Sequence, residues 1–446
     1  MTLRFGTDGV RGVANLDLTP ELVVALGRAA ARILRSDEFV IGRDTRVSGP
    51  LLESALAAGL AAEGVAVHLI GVVPTPVVAF ASAQERCGGA MISASHNRYP
   101  DNGIKLFAPG GRKLNDELEA ALEREVDALV HGDVPVEASP TGDAVGTITP
   151  APEHLLGYTD GIEASLDGRG LRGLRLVVDC ANGAATTVAP HVLRRLGADV
   201  HVLHARPNGT NINEHCGSTD PTDLQDAVRE RGADAGLAFD GDADRVVAVD
   251  ADGALVDGDQ IIAVCAVDRH ERGVLVDDTV VVTVMTNLGF RRAMAERGIA
   301  VTETAVGDRF VLDALEAGGL TLGGEQSGHV IFRDLATTGD GLLTGVQLLD
   351  VMARTGRPLS DLAAVMTRLP QVLRNVRLEA TVDPSAIDQR LAPELDAARA
   401  ELGANGRVLV RRSGTEPLVR VMVEAETQQQ AADIAERLAA AIAAAS

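Results

Sequence analysis

GLAFDGDADR, residues 236–245, is a run of apolar residues that ends in three carboxylates at alternate positions. The apolar part, Ala235–Phe239, reads as a buried strand, so Asp240, Asp242 and Asp244 fall in the loop at its end. Ligand and catalytic groups collect at such strand ends in α/β sheets. Three carboxylates so close repel one another unless a cation joins them. Gly241 and Ala243 leave the backbone room to curl around a hard, oxygen-loving ion. An EF-hand loop needs Gly at its sixth position and Glu at its twelfth; here those are Arg245 and Ala251, so that reading fails. A solvated acidic turn is the plain alternative, and the apolar strand running into the loop argues against it.

Outward from this loop, strand and helix patterns alternate. Upstream lie a helix beginning near Glu153 and a strand at 174–179, and before them residues 131–152, rich in Pro, Gly, Asp and Thr, read as a linker. The first third opens with a helix that has Pro20 in its first turn and Leu22, Leu26, Ala29 and Ile33 on one face. Strand 39–42, helix 51–62, strand 65–70, helix 76–83 and strand 89–92 follow. Downstream, Asp250-Ala251-Asp252-Gly253 reads as a tight turn between strands. Strands at 280–284, Ala300–Thr304 and 320–323 then alternate with helices. From Leu369 the pattern changes to a strand, a helix Pro384–Leu402, strands at 407–411 and Leu418–Glu424, and a last helix with Thr427 and Gln430 in a capping-box pattern. The order predicts three α/β blocks (1–150, 151–255 and 256–368) and a smaller α+β block (369–446). No fixed repeat period is visible.

A chain of 446 residues is too long for one core and suggests about three domains. Aromatics make up only 2%, so the cores must rely on Val, Leu, Ile and Ala. The formal net charge of -22 disfavours nonspecific binding to nucleic acid or to anionic membrane, and it obliges any anionic ligand to find a local basic pocket. The four cysteines form no C-x-x-C pair, which argues against a metal knuckle and a disulfide framework. The start MTLRFGTDGV lacks a basic, then apolar leader. The uncharged run at 64–83 is broken by His68, Pro74 and Pro76 and does not read as a membrane span. A cytoplasmic protein is expected.

Three more loops carry candidate chemistry. Ser93-Ala94-Ser95-His96-Asn97, with Asp101–Lys105 just beyond, lies between two apolar strands; Ser95 next to His96 and near Lys105 reads as an activated nucleophile or as a polar turn. Gly323-Gly324-Glu325-Gln326-Ser327-Gly328-His329 offers Glu325 and Ser327 to sugar hydroxyls, or is a Gly-rich turn. Arg411-Arg412-Ser413-Gly414-Thr415-Glu416-Pro417, with Arg420 beyond, suits a phosphate, or is a basic hairpin. Phosphate-loop, dinucleotide-fingerprint and nucleophile-elbow signatures are all absent. With one candidate loop in each block, a site in a central cleft between domains is expected.

These four segments in this order, across nearly the whole chain, resemble the α-D-phosphohexomutase superfamily. The opening FGTDGVRG (residues 5–12), the loop at 324–329 and PQVLRNVR (370–377) are most similar to its branch acting on glucosamine phosphates. The resemblance implies three similar mixed-sheet α/β domains and a smaller C-terminal α+β domain around a central cleft. It implies isomerisation of glucosamine 6-phosphate and glucosamine 1-phosphate through a phosphorylated Ser95, with a hexosamine 1,6-bisphosphate as intermediate and activator. It implies Mg²⁺ held by Ser95, Asp240, Asp242 and Asp244, and Arg245 facing the moving phosphoryl group. It matches Glu325 and Ser327 to sugar binding, and Arg411, Ser413, Gly414, Thr415 and Arg420 to phosphate binding. His96, Lys105 and His329 become candidates for proton transfer, Arg11 for a phosphate contact, and the protein for a homodimer. The family usually has Pro after the Asn of the serine loop; here Asn97 is followed by Arg98, which frees the loop and adds a charge. The same chemistry on glucose or mannose phosphates, a metal-dependent sugar phosphatase and a non-catalytic sugar-phosphate sensor stand as alternatives.

Overall fold

The computed structural model describes residues 4–6, 8–132, 139–377, 384–412 and 418–445. The chain forms two compact units, Met1–Val284 with Ile299–Ala364, and Met285–Gly298 with Val365–Ser446.

The first unit contains three mixed sheets. In the first, the order is Val10–Val13, Asp101–Ala108, Gly88–Ile92, Glu38–Arg43, Ala66–Val72, Ile148–Pro150. Its last four strands run parallel, and Asp101–Ala108 runs antiparallel to Gly88–Ile92. Thr19 caps helix Pro20–Leu34 by accepting the Leu22 N–H, and Pro20 starts it, where no N–H is needed. Leu22, Leu26 and Ala29 of that helix are buried with Phe39, Ile41, Leu56 and Leu60 in one apolar core.

The expected linker 131–152 is corrected in part. Ile148–Pro150 adds a parallel edge strand, Val67 facing Ile148. Ile148 and Thr149 are β-branched and favour that conformation, and Pro150 is tolerated because an edge strand does not need its missing N–H. Helix Asp116–His131, absent from the sequence expectations, is capped by Asn115 and buries only Leu122 and Val126, so its apolar face is faint.

The second sheet has the order Leu255–Val256, Val246–Asp250, Ala235–Phe239, Arg175–Asp179, Asp199–Leu203, and the third Ala300–Thr304, Thr279–Thr283, Leu322–Gly324, Val330–Phe332. All three sheets share one device: the last parallel strand turns back through a short loop into an antiparallel neighbour. The serine, acidic and Glu325–His329 segments are those three loops. The repetition explains why candidate residues lie so far apart in sequence yet at equivalent places in three sheets.

The second unit has an antiparallel sheet ordered Gln371–Arg377, Leu418–Glu424, Arg407–Arg412. Helices Pro384–Leu402 and Gln428–Ala445 contribute to its core with Val372, Ala398, Val421, Ile434 and Leu438. Thr427 Oγ1 accepts the Gln430 N–H at 3.2 Å, the main contact of the expected capping pattern. No helix among the described residues is long and apolar enough to cross a membrane.

Candidate active site

The serine loop joins Gly88–Ile92 to Asp101–Ala108. Ser95 sits at φ +52°, left-handed for a residue with a Cβ, at a cost of roughly 1–2 kcal/mol. That turn aims its hydroxyl at the second sheet: Ser95 Oγ donates to Asp240 Oδ2 at 2.7 Å across 145 residues of sequence. His96 Nδ1 lies 3.3 Å from the same hydroxyl and accepts from Arg245 Nη1 at 3.1 Å. Burial, then the Arg245 and Arg11 charges, push the His96 ring down to about 4, so it is neutral at physiological pH. Arg98, not Pro, follows Asn97 in this loop. Arg98 keeps its side chain exposed and its carbonyl bound by Arg46 Nη1 at 2.6 Å.

Asp240, Asp242 and Asp244 follow a fully buried strand and are themselves buried. One oxygen from each lies within 4.8 Å of the others. Burial and then repulsion from Asp244 and Asp242 hold the Asp240 carboxyl well above the usual range. Asp242 Oδ2 is occupied by Thr75 Oγ1 at 2.6 Å and Lys105 Nζ at 2.9 Å, and Asp244 Oδ2 by Lys105 Nζ at 3.0 Å. The other oxygens, Asp242 Oδ1 and Asp244 Oδ1, are buried with no hydrogen-bond partner among the described residues. Buried carboxylate oxygens left so are costly unless a further group satisfies them. The donor set, hard oxygen with two free ligand atoms, fits a divalent cation.

Gly241 makes the approach of the two loops possible. A Cβ there would lie 2.6 Å from the Ser95 carbonyl oxygen and 2.8 Å from Asn213 Nδ2. The third loop closes from the other side, with Val246 N–H donating to Gly328 O at 3.1 Å. Glu325 Oε1 accepts the Gly307 N–H at 3.1 Å, and its charge, after those of Asp244 and Asp240, helps keep the half-buried Arg245 protonated against desolvation. Ser327 is exposed at the turn. His329 is buried, Nδ1 3.7 Å from Asp244 Oδ2 and Nε2 3.4 Å from Asp308 Oδ2. Burial works against its charged form, and Asp244 and Asp308 outweigh that and raise its pKa.

A closed ring of alternating charge results. It runs Asp244, Lys105, Asp8, Lys113, Asp308, His329 and back to Asp244. Lys105 is desolvated, yet Asp242, Asp244 and Asp8 raise its pKa well above that of a free lysine. It is therefore charged at neutral pH, donating hydrogen bonds and holding no free lone pair. Arg11 joins the ring through Asp8 at 3.0 Å.

Profile matches then extend over nearly the whole chain. Four models of phosphoglucomutase/phosphomannomutase match in order: alpha/beta/alpha domain I at 2–131, domain II at 157–253, domain III at 257–369, and the C-terminal domain at 373–441. A phosphoglucosamine mutase of Frankia alni is 55% identical over 100% of this chain and 99% of its own length.

The chain belongs to the phosphohexomutase family.

A second family relative, a phosphoglucosamine mutase of Thermobifida fusca, is 54% identical over 98% of both chains. Among solved phosphohexomutases, a phosphoglucomutase/phosphomannomutase family protein of Burkholderia thailandensis superposes with TM-score 0.81 at 28% identity, over 100% of this chain and 98% of that one. An N-acetylphosphoglucosamine mutase of Aspergillus fumigatus, solved with GlcNAc-6P and magnesium, shares the fold at TM-score 0.71 and 20% identity, over 100% and 96%.

Of the phosphohexomutase residues expected from sequence, the structure brings together Ser95, His96, Lys105, Arg245, His329, Arg11, Glu325 and the three aspartates. Arg411 and Arg420 are cross-strand partners in the second unit. Ser413, Gly414 and Thr415 lie outside the described residues. Sequence reasoning missed Asp8, Arg46, Thr75, Lys113, Asn213 and Asp308 as site residues. One signal was available for Lys113: the whole chain has two lysines, Lys105 and Lys113, and uses Arg everywhere else. A compact ammonium fits between carboxylates where a planar guanidinium does not.

Proposed function

We propose that the protein interconverts glucosamine 6-phosphate and glucosamine 1-phosphate through a phosphorylated Ser95. The observation that carries the reading is the 2.7 Å contact between Ser95 Oγ and Asp240, inside an acidic triplet with two unsatisfied oxygens. Relatives more than half identical over their full length carry the glucosamine assignment.

In the first half-reaction the sugar's free hydroxyl attacks the phosphorus on Ser95. The new P–O bond forms as the bond to Ser95 Oγ breaks, and the proton given up by the sugar hydroxyl ends on Ser95 Oγ, restoring the free serine. The resulting hexosamine 1,6-bisphosphate reorients and returns its other phosphoryl group to Ser95. Such transfer rests on positioning and charge neutralisation. Asp240, Asp242, Asp244 and the Ser95 phosphate would hold a Mg²⁺ ion, which would supply Lewis-acid stabilisation of the moving group. Arg245 offsets its charge, His96 takes the Arg245 hydrogen bond as a neutral ring, and the charged Lys105 fixes the outer oxygens of Asp242 and Asp244. His329, flanked by two carboxylates, is the group placed to carry a proton. Glu325 and Ser327 take the sugar, and Arg411, Ser413, Gly414, Thr415 and Arg420 the phosphate that does not react.

Intact mass of purified protein should show one phosphate, lost in Ser95→Ala together with nearly all turnover. A Ser95→Ala enzyme at wild-type rate sinks the covalent scheme. Specificity is read from kcat/KM on glucosamine, glucose and mannose 6-phosphates, glucosamine being preferred. Stoichiometric release of inorganic phosphate instead of isomerisation would make it a phosphatase.

A further inference from the structure

Ser95 adopts a backbone conformation that residues with a Cβ avoid, and two side chains from different sheets hold it there. Arg46, on the turn after strand Glu38–Arg43, is fully buried. Its Nη2 donates to the carbonyls of Ser95 at 3.0 Å and Asn97 at 2.8 Å, and its Nη1 to those of Arg98 at 2.6 Å and Asp101 at 3.0 Å. Asn213, among the loops of the second sheet, donates from Nδ2 to the same Ser95 and Asn97 carbonyls at 2.8 and 2.9 Å. Both acceptor positions of the Ser95 carbonyl are therefore filled, one from each side.

The amide on the other flank of Ser95 is fixed as well. Ser95 N–H donates to Ser93 Oγ at 2.9 Å, Ser93 Oγ donates to Asp44 Oδ2 at 2.7 Å, and Arg46 Nε donates to that same oxygen at 2.8 Å. The circuit closes on itself through Arg46. Its bonds end on backbone carbonyls, the Ser93 hydroxyl or the Asp44 carboxylate, and none uses the Ser95 hydroxyl, which is left to Asp240 and His96.

We propose that Arg46 and Asn213 are positioning residues that clamp the Ser95 peptide from two sides and keep its hydroxyl aimed at Asp240 as the phosphoryl group leaves and returns. The inference rests on Ser95 being the phosphoryl carrier. Its physical basis is that a nucleophile reused in two opposite transfers must regain one geometry each time. Misplacement by about 1 Å costs such a reaction roughly a hundredfold.

Three variants of the full-length, Mg²⁺-loaded protein test it. Asn213→Gly removes both donors while accepting the φ of +55° found there. Asn213→Asp keeps the shape but turns carboxylate lone pairs toward two carbonyls. Arg46→Lys keeps the charge and loses the fork. The expected result for Asn213→Gly is a kcat lowered about 10- to 100-fold with KM within about twofold, and a lower kcat still for Asn213→Asp. Amide exchange at residues 95–97 should accelerate about tenfold or more, with that of strand Gly88–Ile92 unchanged. Arg46→Lys should behave alike where it folds; if it does not, the Asn213 pair decides. Wild-type kcat in both Asn213 variants, or unchanged exchange in the loop, overturns the clamp. A Ser95→Ala enzyme that still turns over, with no phosphate on the wild type, overturns the carrier reading instead.

Discussion

Replacing Gly241 by Ala inserts one methyl carbon where the serine and acidic loops touch. That carbon would stand 2.6 Å from the Ser95 carbonyl oxygen, 2.8 Å from Asn213 Nδ2 and 2.8 Å from Ile212 Cδ1. None of the three can swing aside: the first is backbone, the second is tied to two carbonyls, and Ile212 is buried. An ordinary contact begins at 3.4 Å, so the loops must part by about 0.8 Å. Asp240 precedes Gly241 directly, so a shift of that size takes the 2.7 Å bond from Ser95 Oγ past useful hydrogen-bond length. A displacement near 1 Å lowers kcat roughly a hundredfold, about 2.7 kcal/mol of barrier. Overpacking itself costs about 1–3 kcal/mol of stability. A coupled mutase assay and urea unfolding measure the two separately. Turnover within a few-fold of wild type, with stability unchanged, would refute the reasoning, because the loops would then have slack that the contact distances deny.

Lys105→Met leaves Asp8, Asp242 and Asp244 facing one another without their shared cation, a loss of about 3–5 kcal/mol. Urea unfolding should show the full loss with chelator and a smaller one with saturating Mg²⁺; equal losses would count against a cation at the triplet. Asp340, buried and bonded to Tyr158 Oη, is pushed up to about 6, chiefly by burial. Its protonated form is favoured in the native state, so its contribution is fully present below the unfolded value near 4 and is lost as pH rises through 6. Asp340→Asn, also a good N-cap, should therefore gain on wild type between pH 4 and 6 by up to about 3 kcal/mol and level off above; a pH-independent difference would contradict this. Arg411→Gln should raise KM for glucosamine 6-phosphate with little change in kcat, and an unchanged KM would move the phosphate site elsewhere.

The parts legible in sequence were those whose pattern is local. Ala235–Phe239 and its aspartates stood out because an apolar run and a charged triplet adjoin, and the structure keeps both the strand bounds and the burial. Helix Asp116–His131 did not, because only two of its side chains are buried. Strand Ile148–Pro150 was hidden in a Pro- and Thr-rich run that reads as irregular. In the site, Ser95 and the triplet were found by motif, but Arg46, Thr75 and Asn213 left no trace. They act on backbone carbonyls or on a residue more than a hundred positions away, and neither relation has a sequence period. The approach of the loops was likewise invisible, since a Gly between two aspartates is as fit for a turn as for a close contact.

The scarcity of lysine makes this molecule a reporter of its own integrity. Both ε-amines lie inside the charge ring, one of them almost wholly shielded. An acylating reagent applied to folded protein therefore finds no lysine ε-amine outside the ring. Modification of Lys105, whose side chain is 3% exposed, marks a molecule whose ring has opened, so the fraction labelled there counts such molecules directly.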